Sequence, residues 1–265
     1  FRAFIYLYEG PDRDGASLAA IYGPDLDTFD AASGKLAPHP MAKVHPAAGL
    51  EPRHLAFHPT LPIVYCDDEK GDSVTAYHFN RETGQLKAFH TRSTLPADFD
   101  GSQNTCADIE ITRDGRFVYA SNRGHNSIAG FSVNAKTGKL SKNEPFTSHP
   151  AEGLQPRHLA FHPKLPIVYF DDERGDSVTA YSLNRTNGQL KAFHTVSTLP
   201  KDFDGNKNSC ADIEITDDGK FIYASNRGHN SIAGFAVDAK TGKLKSLGQT
   251  PTGTTPRSFN LSPAN

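Results

Sequence analysis

The chain has 265 residues, a formal net charge of −2 and a hydrophobic fraction of 37%. Its lysines and arginines are scattered, which gives no electrostatic basis for binding nucleic acid or an anionic membrane surface. No apolar run approaches the roughly 20 residues that cross a bilayer, and no signal-peptide pattern is present, although Phe1 is not an initiator methionine and a leader could have been removed. We therefore expect a soluble, cytoplasmic protein without a nucleic-acid or membrane partner.

Short β-rich runs separated by turn residues follow one another along the chain, and none has helical periodicity. The first run lies at 4–8. Four further runs, predicted as strands, lie at 52–59, 62–66, 73–79 and 85–93. The turns between them contain Gly, Pro, Asn and Asp. Four antiparallel strands within about 50 residues are typical of one β-propeller blade.

The strand pattern is repeated. Residues 52–140 recur at 156–244 with 72 of 89 positions identical and no gap. A weaker copy of the pattern returns halfway along each stretch, so the period is about 50–54 residues, which indicates a propeller, solenoid or array. First strands are predicted at 52–59, 106–112, 156–163, 210–216 and 256–263. Second strands are predicted at 4–8, 62–66, 116–121, 166–170 and 220–225.

These counts predict one all-β domain, a five-bladed β-propeller with four antiparallel strands per blade. The predicted blades are 1–45 plus 254–263, 52–97, 104–150, 156–201 and 208–250. The C-terminal strand would pair inside the N-terminal blade and close the ring, which removes open sheet edges and favours a monomer. Cys106 and Cys210 lie two blades apart, too far for a disulfide, and Cys66 is a packing position.

One face of such a ring collects charged residues. The entry to each first strand and the loop between the second and third strands open on the same face. That face receives Arg53, His54, Asp67, Asp68, Glu69, Asp108, Glu110, Arg123 and the matching residues of the second copy. This set suits acid–base chemistry on an anionic or polar ligand. The alternative is that arginine–carboxylate pairs only hold neighbouring blades together.

The other charged features favour structural roles. His58 and His162 lie in His-Pro turns predicted at the opposite face. The Asp-Asp-Glu loops lack the alternating ligands and glycine of a calcium loop, so we expect no metal site. The Lys-Thr-Gly-Lys segments at 136–139 and 240–243 are hairpin turns and not phosphate loops. No cofactor is predicted.

Several motifs resemble the 6-phosphogluconolactonase family of propeller lactonases, to which carboxy-muconate cyclases are related. They are Pro-Arg-His-Leu-Ala-Phe-His-Pro, Ser-Thr-Leu-Pro-Ala-Asp-Phe, Cys-Ala-Asp-Ile-Glu-Ile-Thr-Arg-Asp-Gly-Arg-Phe-Val-Tyr-Ala-Ser-Asn-Arg-Gly-His-Asn-Ser and Thr-Pro-Arg-Ser-Phe-Asn-Leu. The resemblance implies a metal-independent reaction on a small sugar lactone or acid at the channel mouth. It implies that arginines hold anionic groups of the substrate, namely Arg53, Arg123, Arg157, Arg227 and Arg257. It implies proton transfer by His54, Asp108, His158 or Asp212.

The chain also departs from the family pattern. Family members have seven blades, against five predicted here, and Glu110 and Glu214 stand where the family usually has histidine. Even a solvent-facing loop such as 123–126 is unchanged between the two copies, which indicates a very recent duplication or a chain engineered from family fragments. Our first hypothesis is therefore an engineered, recombinant propeller scaffold with little or no selected activity. The alternatives are a lactone hydrolase and a binding module for small sugar acids.

Overall fold

The computed structural model describes residues 47–80, 85–101, 103–203 and 207–262, together with four short strands nearer the N-terminus. The short strands form two antiparallel pairs. Strand β1 (Leu18–Ala19) pairs with β4 (Lys43–Val44), and β2 (Phe29–Asp30) pairs with β3 (Lys35–Leu36).

The rest of the described chain forms four antiparallel sheets of four strands, each with its strands in sequence order. Blade I contains β5 (Pro52–Phe57), β6 (Ile63–Asp68), β7 (Ser73–Phe79) and β8 (Leu86–Ser93). Blade II contains β9 (Cys106–Ile111), β10 (Phe117–Asn122), β11 (Ser127–Val133) and β12 (Leu140–Ser148). Blade III contains β13 (Pro156–Phe161), β14 (Ile167–Asp172), β15 (Ser177–Leu183) and β16 (Leu190–Ser197). Blade IV contains β17 (Cys210–Ile215), β18 (Phe221–Asn226), β19 (Ser231–Val237) and β20 (Leu244–Pro251).

The predicted all-β propeller architecture is confirmed, and the predicted strands of these four blades agree with the observed ones to within two residues. The first strands of successive blades contact one another, β5 with β9, β9 with β13 and β13 with β17. They therefore lie innermost, as propeller topology requires.

Apolar side chains fill the spaces between neighbouring blades. Tyr65 of blade I and Phe131 of blade II belong to one buried cluster, and Tyr169 and Phe235 belong to the matching cluster between blades III and IV. A third cluster joins blades II and III. Because the middle strands are covered on both faces, β6, β10 and β14 are buried along their whole length. This explains why each of these strands begins with four consecutive apolar residues and does not alternate.

A buried tyrosine on each second strand also links its blade to the next. The hydroxyl of Tyr65 donates to the Gly138 carbonyl at 2.8 Å, and that of Tyr169 donates to the Gly242 carbonyl at 2.9 Å. Tyr119 makes the same contact with the next blade. Gly242 has a φ of +69°, and a Cβ there would lie 2.1 Å from Ile167. Only glycine fits both the turn and this close approach.

The two strands predicted to close the ring are not established. The predicted strand at 4–8 lies outside the described residues. The prediction of a strand at 256–263 was wrong, because residues 256–262 form no strand. A strand needs a ladder partner, and no described segment pairs with these residues. The predicted count of five blades and the blade boundaries thus stay predictions.

Replacing Tyr169 by phenylalanine should lower the free energy of unfolding by about 1 kcal/mol, because a buried carbonyl loses its donor. Tyr223 occupies the same position in blade IV and has no such hydrogen bond to a described residue, so Tyr223→Phe is the matched control. Urea denaturation of both variants measures the difference. Equal effects of the two substitutions would contradict the role assigned to the inter-blade hydrogen bond.

Candidate active site

Four predicted proton-transfer residues form a line across the innermost strands of blades I to IV. Nδ1 of His54 lies 3.1 Å from Oδ1 of Asp108, and Nδ1 of His158 lies 2.9 Å from Oδ1 of Asp212. The two imidazole rings meet edge to face with their centroids 4.9 Å apart. Histidine and aspartate thus alternate from one blade to the next. We call these four residues the His–Asp line.

Each aspartate of the line also accepts a backbone N–H from the innermost segment that follows it in the chain. The other oxygen of Asp108 accepts the backbone N–H of Leu159 at 3.0 Å, and that of Asp212 accepts the backbone N–H of Phe259 at 2.9 Å. One carboxylate therefore joins a histidine of the preceding blade to the backbone of the following segment. This arrangement fixes the carboxylate and, through it, the imidazole that it contacts.

A second aspartate accepts the backbone N–H of each histidine and so holds its main chain in place. The backbone N–H of His54 donates to Asp67, and the backbone N–H of His158 donates to Asp171. Both carboxyl groups are fully buried, and Oδ2 of each lacks a hydrogen-bond partner among the described residues. Burial raises the pKa of Asp67 to about 6 and that of Asp171 to about 8. Asp171 therefore keeps its proton to a higher pH than an ordinary aspartate does.

The two histidines of the line have opposite pKa shifts. For His54, burial opposes protonation, but the hydrogen bond to Asp108 and the charges of Asp108 and Asp67 outweigh it and raise the pKa. For His158, burial lowers the pKa well below the ordinary value, and the positive charge of Arg157 lowers it further. Burial and the neighbouring charges thus favour the neutral form of His158 and the protonated form of His54, and two adjacent groups with divergent pKa values suit a base and an acid.

Arginines and glutamates form a belt of ion pairs beside the His–Asp line. Glu69 accepts from Arg53 at 2.9 Å and also from Arg123, whose guanidinium reaches Glu173 at 3.3 Å. Glu173 accepts in turn from Arg227 at 2.6 Å. Arg123 therefore joins blades I, II and III. The structural alternative for Arg53, Arg123 and Arg227 is correct to this extent, since all three guanidinium groups bind glutamate.

Arg157 differs from the other arginines of this belt. It is 1% exposed, and its nearest carboxylate, on Glu173, is 3.9 Å away. Its Nε and Nη1 have no hydrogen-bond partner among the described residues. Burial lowers its pKa to about 10, so the group stays cationic at neutral pH. A buried cation with unpaired N–H groups next to His158 is suited to bind an anionic or carbonyl oxygen.

The remaining predicted residues occupy distinct places. Arg257 is exposed, and no structural contact supports a substrate-binding role for it. His58 follows the opposite end of β5, where its Nδ1 accepts the Leu61 N–H at 3.0 Å and shapes the turn. His162 does the same in blade III with Leu165. The prediction that the arginines and the His–Asp residues lie at one end of the strands and these two histidines at the other is confirmed.

The catalytic and binding roles implied by the family resemblance do not include the partners of these groups. Glu69 and Glu173, which bind the arginines, and Asp67 and Asp171, which orient the histidines, lie in the repeated Asp-Asp-Glu loops. The three consecutive acidic residues indicated a site, but which partner each of them binds depends on how the blades pack. The middle residue, Asp68, binds Ser73 and Thr75 of its own blade at 2.6 and 2.7 Å and is structural.

In the described part of the chain no cluster of three or more His, Cys, Asp or Glu side chains has the arrangement of a metal site. No helix there has the length and apolar character of a membrane span. Cys66, Cys106 and Cys210 are buried and free, and burial raises the pKa of each thiol.

The fold and the site define a β-propeller whose innermost strands bring acid–base groups together at one end of the blades. Residues 25–150 and again residues 140–265 match the sequence model of a family described as "Lactonase, 7-bladed beta-propeller". The chain belongs to this lactonase family.

Named relatives are similar to only part of this chain. A 6-phosphogluconolactonase of Bacillus subtilis is 34% identical over 155 residues, which are 58% of this chain and 43% of the relative. A 6-phosphogluconolactonase of Yersinia enterocolitica is 33% identical over 165 residues, which are 61% and 47% of the two chains. The matched region thus spans less than half of these relatives.

Solved structures share the fold over a longer stretch. A structure from Bacteroides fragilis superposes with a TM-score of 0.73 and 26% identity, covering 89% of this chain and 66% of that chain. A protein from Lactobacillus plantarum superposes with a TM-score of 0.77 at 22% identity, covering 97% and 70%.

The buried carboxyl group of Asp171 predicts a pH dependence of stability. Its pKa rises from 3.8 to about 8 in the folded protein. The folded protein therefore keeps a proton that the unfolded chain has released, and stability falls as pH rises between these values. The contribution of one group reaches about 1.4 kcal/mol per pH unit. Asp171→Asn should remove this contribution and be more stable than the wild type at pH 8.

Urea denaturation between pH 5 and pH 8 tests this. Asp217→Asn, at an exposed aspartate, is the control and should follow the wild type. Asp68, a buried aspartate of blade I with a raised pKa, contributes equally to both proteins, so the difference reports Asp171 together with its interactions with Asp172 and Asp212. Parallel pH profiles for wild type and Asp171→Asn would show that the carboxyl group is ionised in the folded state.

Proposed function

We propose that this chain hydrolyses a lactone of a small polar acid, such as a sugar lactone, at the His–Asp line. The observation that carries the proposal is the pair of adjacent imidazoles with opposite pKa shifts, His54 and His158, in a member of the lactonase family. The names of the relatives support the substrate class.

In the proposed reaction His158 is the general base. Its Nδ1 hydrogen-bonds Asp212, which leaves Nε2, unpartnered among the described residues, as the proton acceptor. A water molecule loses a proton to Nε2 while its oxygen bonds to the lactone carbonyl carbon. The low pKa of His158 keeps the ring neutral and available at neutral pH.

His54 then acts as the general acid. Asp108 and Asp67 raise its pKa and so favour the protonated ring, and its centroid lies 4.9 Å from that of His158. When the carbon–oxygen bond of the lactone ring breaks, the leaving oxygen takes the proton of His54, and the product is an open-chain hydroxy acid. A proton passing from His158 back to His54 through solvent restores the starting state.

Arg157 supplies charge stabilisation in this scheme. The carbonyl oxygen becomes negatively charged when water adds, and preorganised donors in a buried site stabilise such an oxyanion strongly. Arg157 is the buried arginine with unpaired N–H groups, and it precedes His158 in β13. Arg53, Arg123 and Arg227 instead shape the site through Glu69 and Glu173.

The competing hypothesis is an inert scaffold built from lactonase-like blades. Its basis is the near identity of the two copies, 72 of 89 positions. Membership of the lactonase family and the oriented His–Asp line favour the hydrolase. The scaffold hypothesis predicts no turnover above a buffer blank, so one assay distinguishes the two.

We also propose that a further blade follows blade IV, which would complete the predicted five, with residues 256–262 as its innermost segment. Phe259 donates to Asp212 as Leu159 donates to Asp108. Thr255 and Gln155 share a positive φ of 54° and 57°, and the backbone N–H of each donates to an equivalent asparagine. The segment thus enters the ring as β13 does.

The proposed roles predict how activity depends on each histidine. His158→Ala should lower kcat for a sugar lactone by about 10²–10⁴-fold, the usual contribution of a general base. His149→Ala, at an exposed imidazole, should retain wild-type activity. Titration of carboxylic acid release at constant pH measures both. Full activity of His158→Ala would refute the assignment.

The pH profile gives a second measurement on the wild type. Activity requires neutral His158, whose pKa is lowered, and protonated His54, whose pKa is raised. A plateau in kcat/KM should therefore span the ordinary imidazole pKa of about 6.5. An inflection at that value would mean that the two histidines do not have divergent pKa values.

The placement of the C-terminal segment predicts the effect of a truncation. A chain ending at residue 253 lacks the Phe259 N–H, so an oxygen of buried Asp212 loses its donor. The truncated chain should be less stable by at least about 1–3 kcal/mol, the cost of one unsatisfied buried group. A chain ending at residue 262 is the control. Equal melting temperatures of the two truncations would show that the segment does not complete the ring.

A further inference from the structure

A serine follows the last aspartate of the His–Asp line. The sequence Thr-Pro-Arg-Ser-Phe at 255–259 aligns with Gln-Pro-Arg-His-Leu in blade III, so Ser258 takes the position of His158. The backbone N–H of Phe259 donates to Asp212 at 2.9 Å, as the equivalent N–H of blade III donates to the aspartate of blade II. Ser258 is therefore placed beside Asp212 as an imidazole is placed beside the earlier aspartate.

The Asp212 carboxyl group accepts hydrogen bonds from several kinds of donor. Its Oδ1 contacts Nδ1 of His158 at 2.9 Å and the backbone N–H of Ile213 at 3.0 Å, and its Oδ2 contacts the Phe259 N–H. A further donor is the side-chain hydroxyl of Ser258. Asp212 is 8% exposed, whereas Ser258 is an exposed residue. An exposed hydroxyl thus reaches the buried carboxylate that also binds the proposed base.

The serine makes the surroundings of the two aspartates of the line different. Burial opposes the ionisation of Asp108, but interactions with the two imidazoles, of His158 and His54, outweigh it and lower the pKa. Burial raises the pKa of Asp212, which contacts one imidazole, that of His158. In place of a second ring Asp212 has the Ser258 hydroxyl. A hydroxyl donates a hydrogen bond without titrating, so its support of the carboxylate does not change with pH.

Two charged groups of blade III also act on Asp212. The charge of Arg157 lowers the pKa of Asp212, and Asp212 in turn raises the pKa of Asp171. Both groups are buried on blade III, so they are present whether or not position 258 carries a hydroxyl. Replacing Ser258 by alanine therefore removes one neutral donor and leaves these charges in place.

We propose that Ser258 is a positioning residue whose hydroxyl fixes the Asp212 carboxylate and so holds His158 in the tautomer with the proton on Nδ1. This inference rests on the proposed function, in which Nε2 of His158 takes the proton from water. An imidazole keeps its lone pair on Nε2 when an ionised carboxylate accepts from Nδ1–H. When the hydroxyl is lost, burial favours the protonated carboxyl group, which is a weaker acceptor for that N–H.

Nitrogen-15 NMR of the imidazole rings tests this without any substrate. The wild type at pH 7 should show His158 with its proton on Nδ1, and the signal is assigned by its absence from His158→Ala. Ser258→Ala should give a mixture of the two neutral tautomers at His158. Ser258→Thr keeps a hydroxyl and should keep the wild-type spectrum. Ser258 is exposed, so neither substitution should disturb the fold.

Kinetics on a sugar lactone provide the second readout. Ser258→Ala should lower kcat about tenfold, the effect of one lost hydrogen bond to a charged group, and leave KM within about twofold. Its acid limb in the pH profile should move to higher pH, because Asp212 becomes protonated at a higher pH when it loses a donor. Ser258→Thr should restore both properties. Thr254→Ala, at an exposed hydroxyl of the same segment, is the control and should match the wild type.

Two results would overturn the proposal. One is a wild-type His158 spectrum in Ser258→Ala, and the other is an equal loss in Ser258→Ala and Ser258→Thr, which would mean that side-chain shape matters and the hydroxyl does not. Absence of turnover in the wild type would refute the proposed hydrolase alone. The tautomer measurement would still decide whether Ser258 acts on His158 through Asp212.

Discussion

The rest of the site depends on two aspartates, one in blade II and one in blade IV, whose two carboxylate oxygens each bind a different partner. Asp108 holds His54 with one oxygen and the Leu159 N–H with the other, and Asp212 holds His158 and the Phe259 N–H. Each carboxylate therefore fixes both the position of one innermost segment against the next and the orientation of an imidazole. Ring geometry and acid–base geometry therefore cannot vary independently in this protein.

The ion-pair belt shows how a structural and a functional explanation apply to the same residues. Four guanidinium groups, those of Arg53, Arg123, Arg157 and Arg227, approach two glutamates, so the belt holds blades together and still carries surplus positive charge. Partly buried pairs of this kind position groups more than they stabilise the fold. The surplus lies toward blades III and IV, where Nε and Nη1 of Arg157 have no hydrogen-bond partner among the described residues.

Sequence repetition does not produce equivalent sites. His54 and His158 lie in identical local sequences, Pro-Arg-His-Leu-Ala-Phe-His-Pro, yet their pKa values move in opposite directions. His54 is 33% exposed in its side chain, whereas His158 is 14% exposed and lies near a buried arginine cation. A duplicated segment thus acquires two chemical roles because each copy has different neighbours in the ring.

The sequence by itself determined the strands, the blade repeat, and the end of the strands at which His54, Asp108, His158 and Asp212 meet. These properties follow from the repeat period and from the alternation of apolar and polar residues. Both can be read from the sequence, whatever the details of side-chain packing. Only the tertiary structure decided which arginines hydrogen-bond to glutamate, that Arg157 does not, and in which direction the pKa of each imidazole shifts. It also showed that residues 256–262 lie beside β17 without forming the predicted strand. Those outcomes depend on distances and burial between groups about 50 residues apart, and no local pattern encodes them.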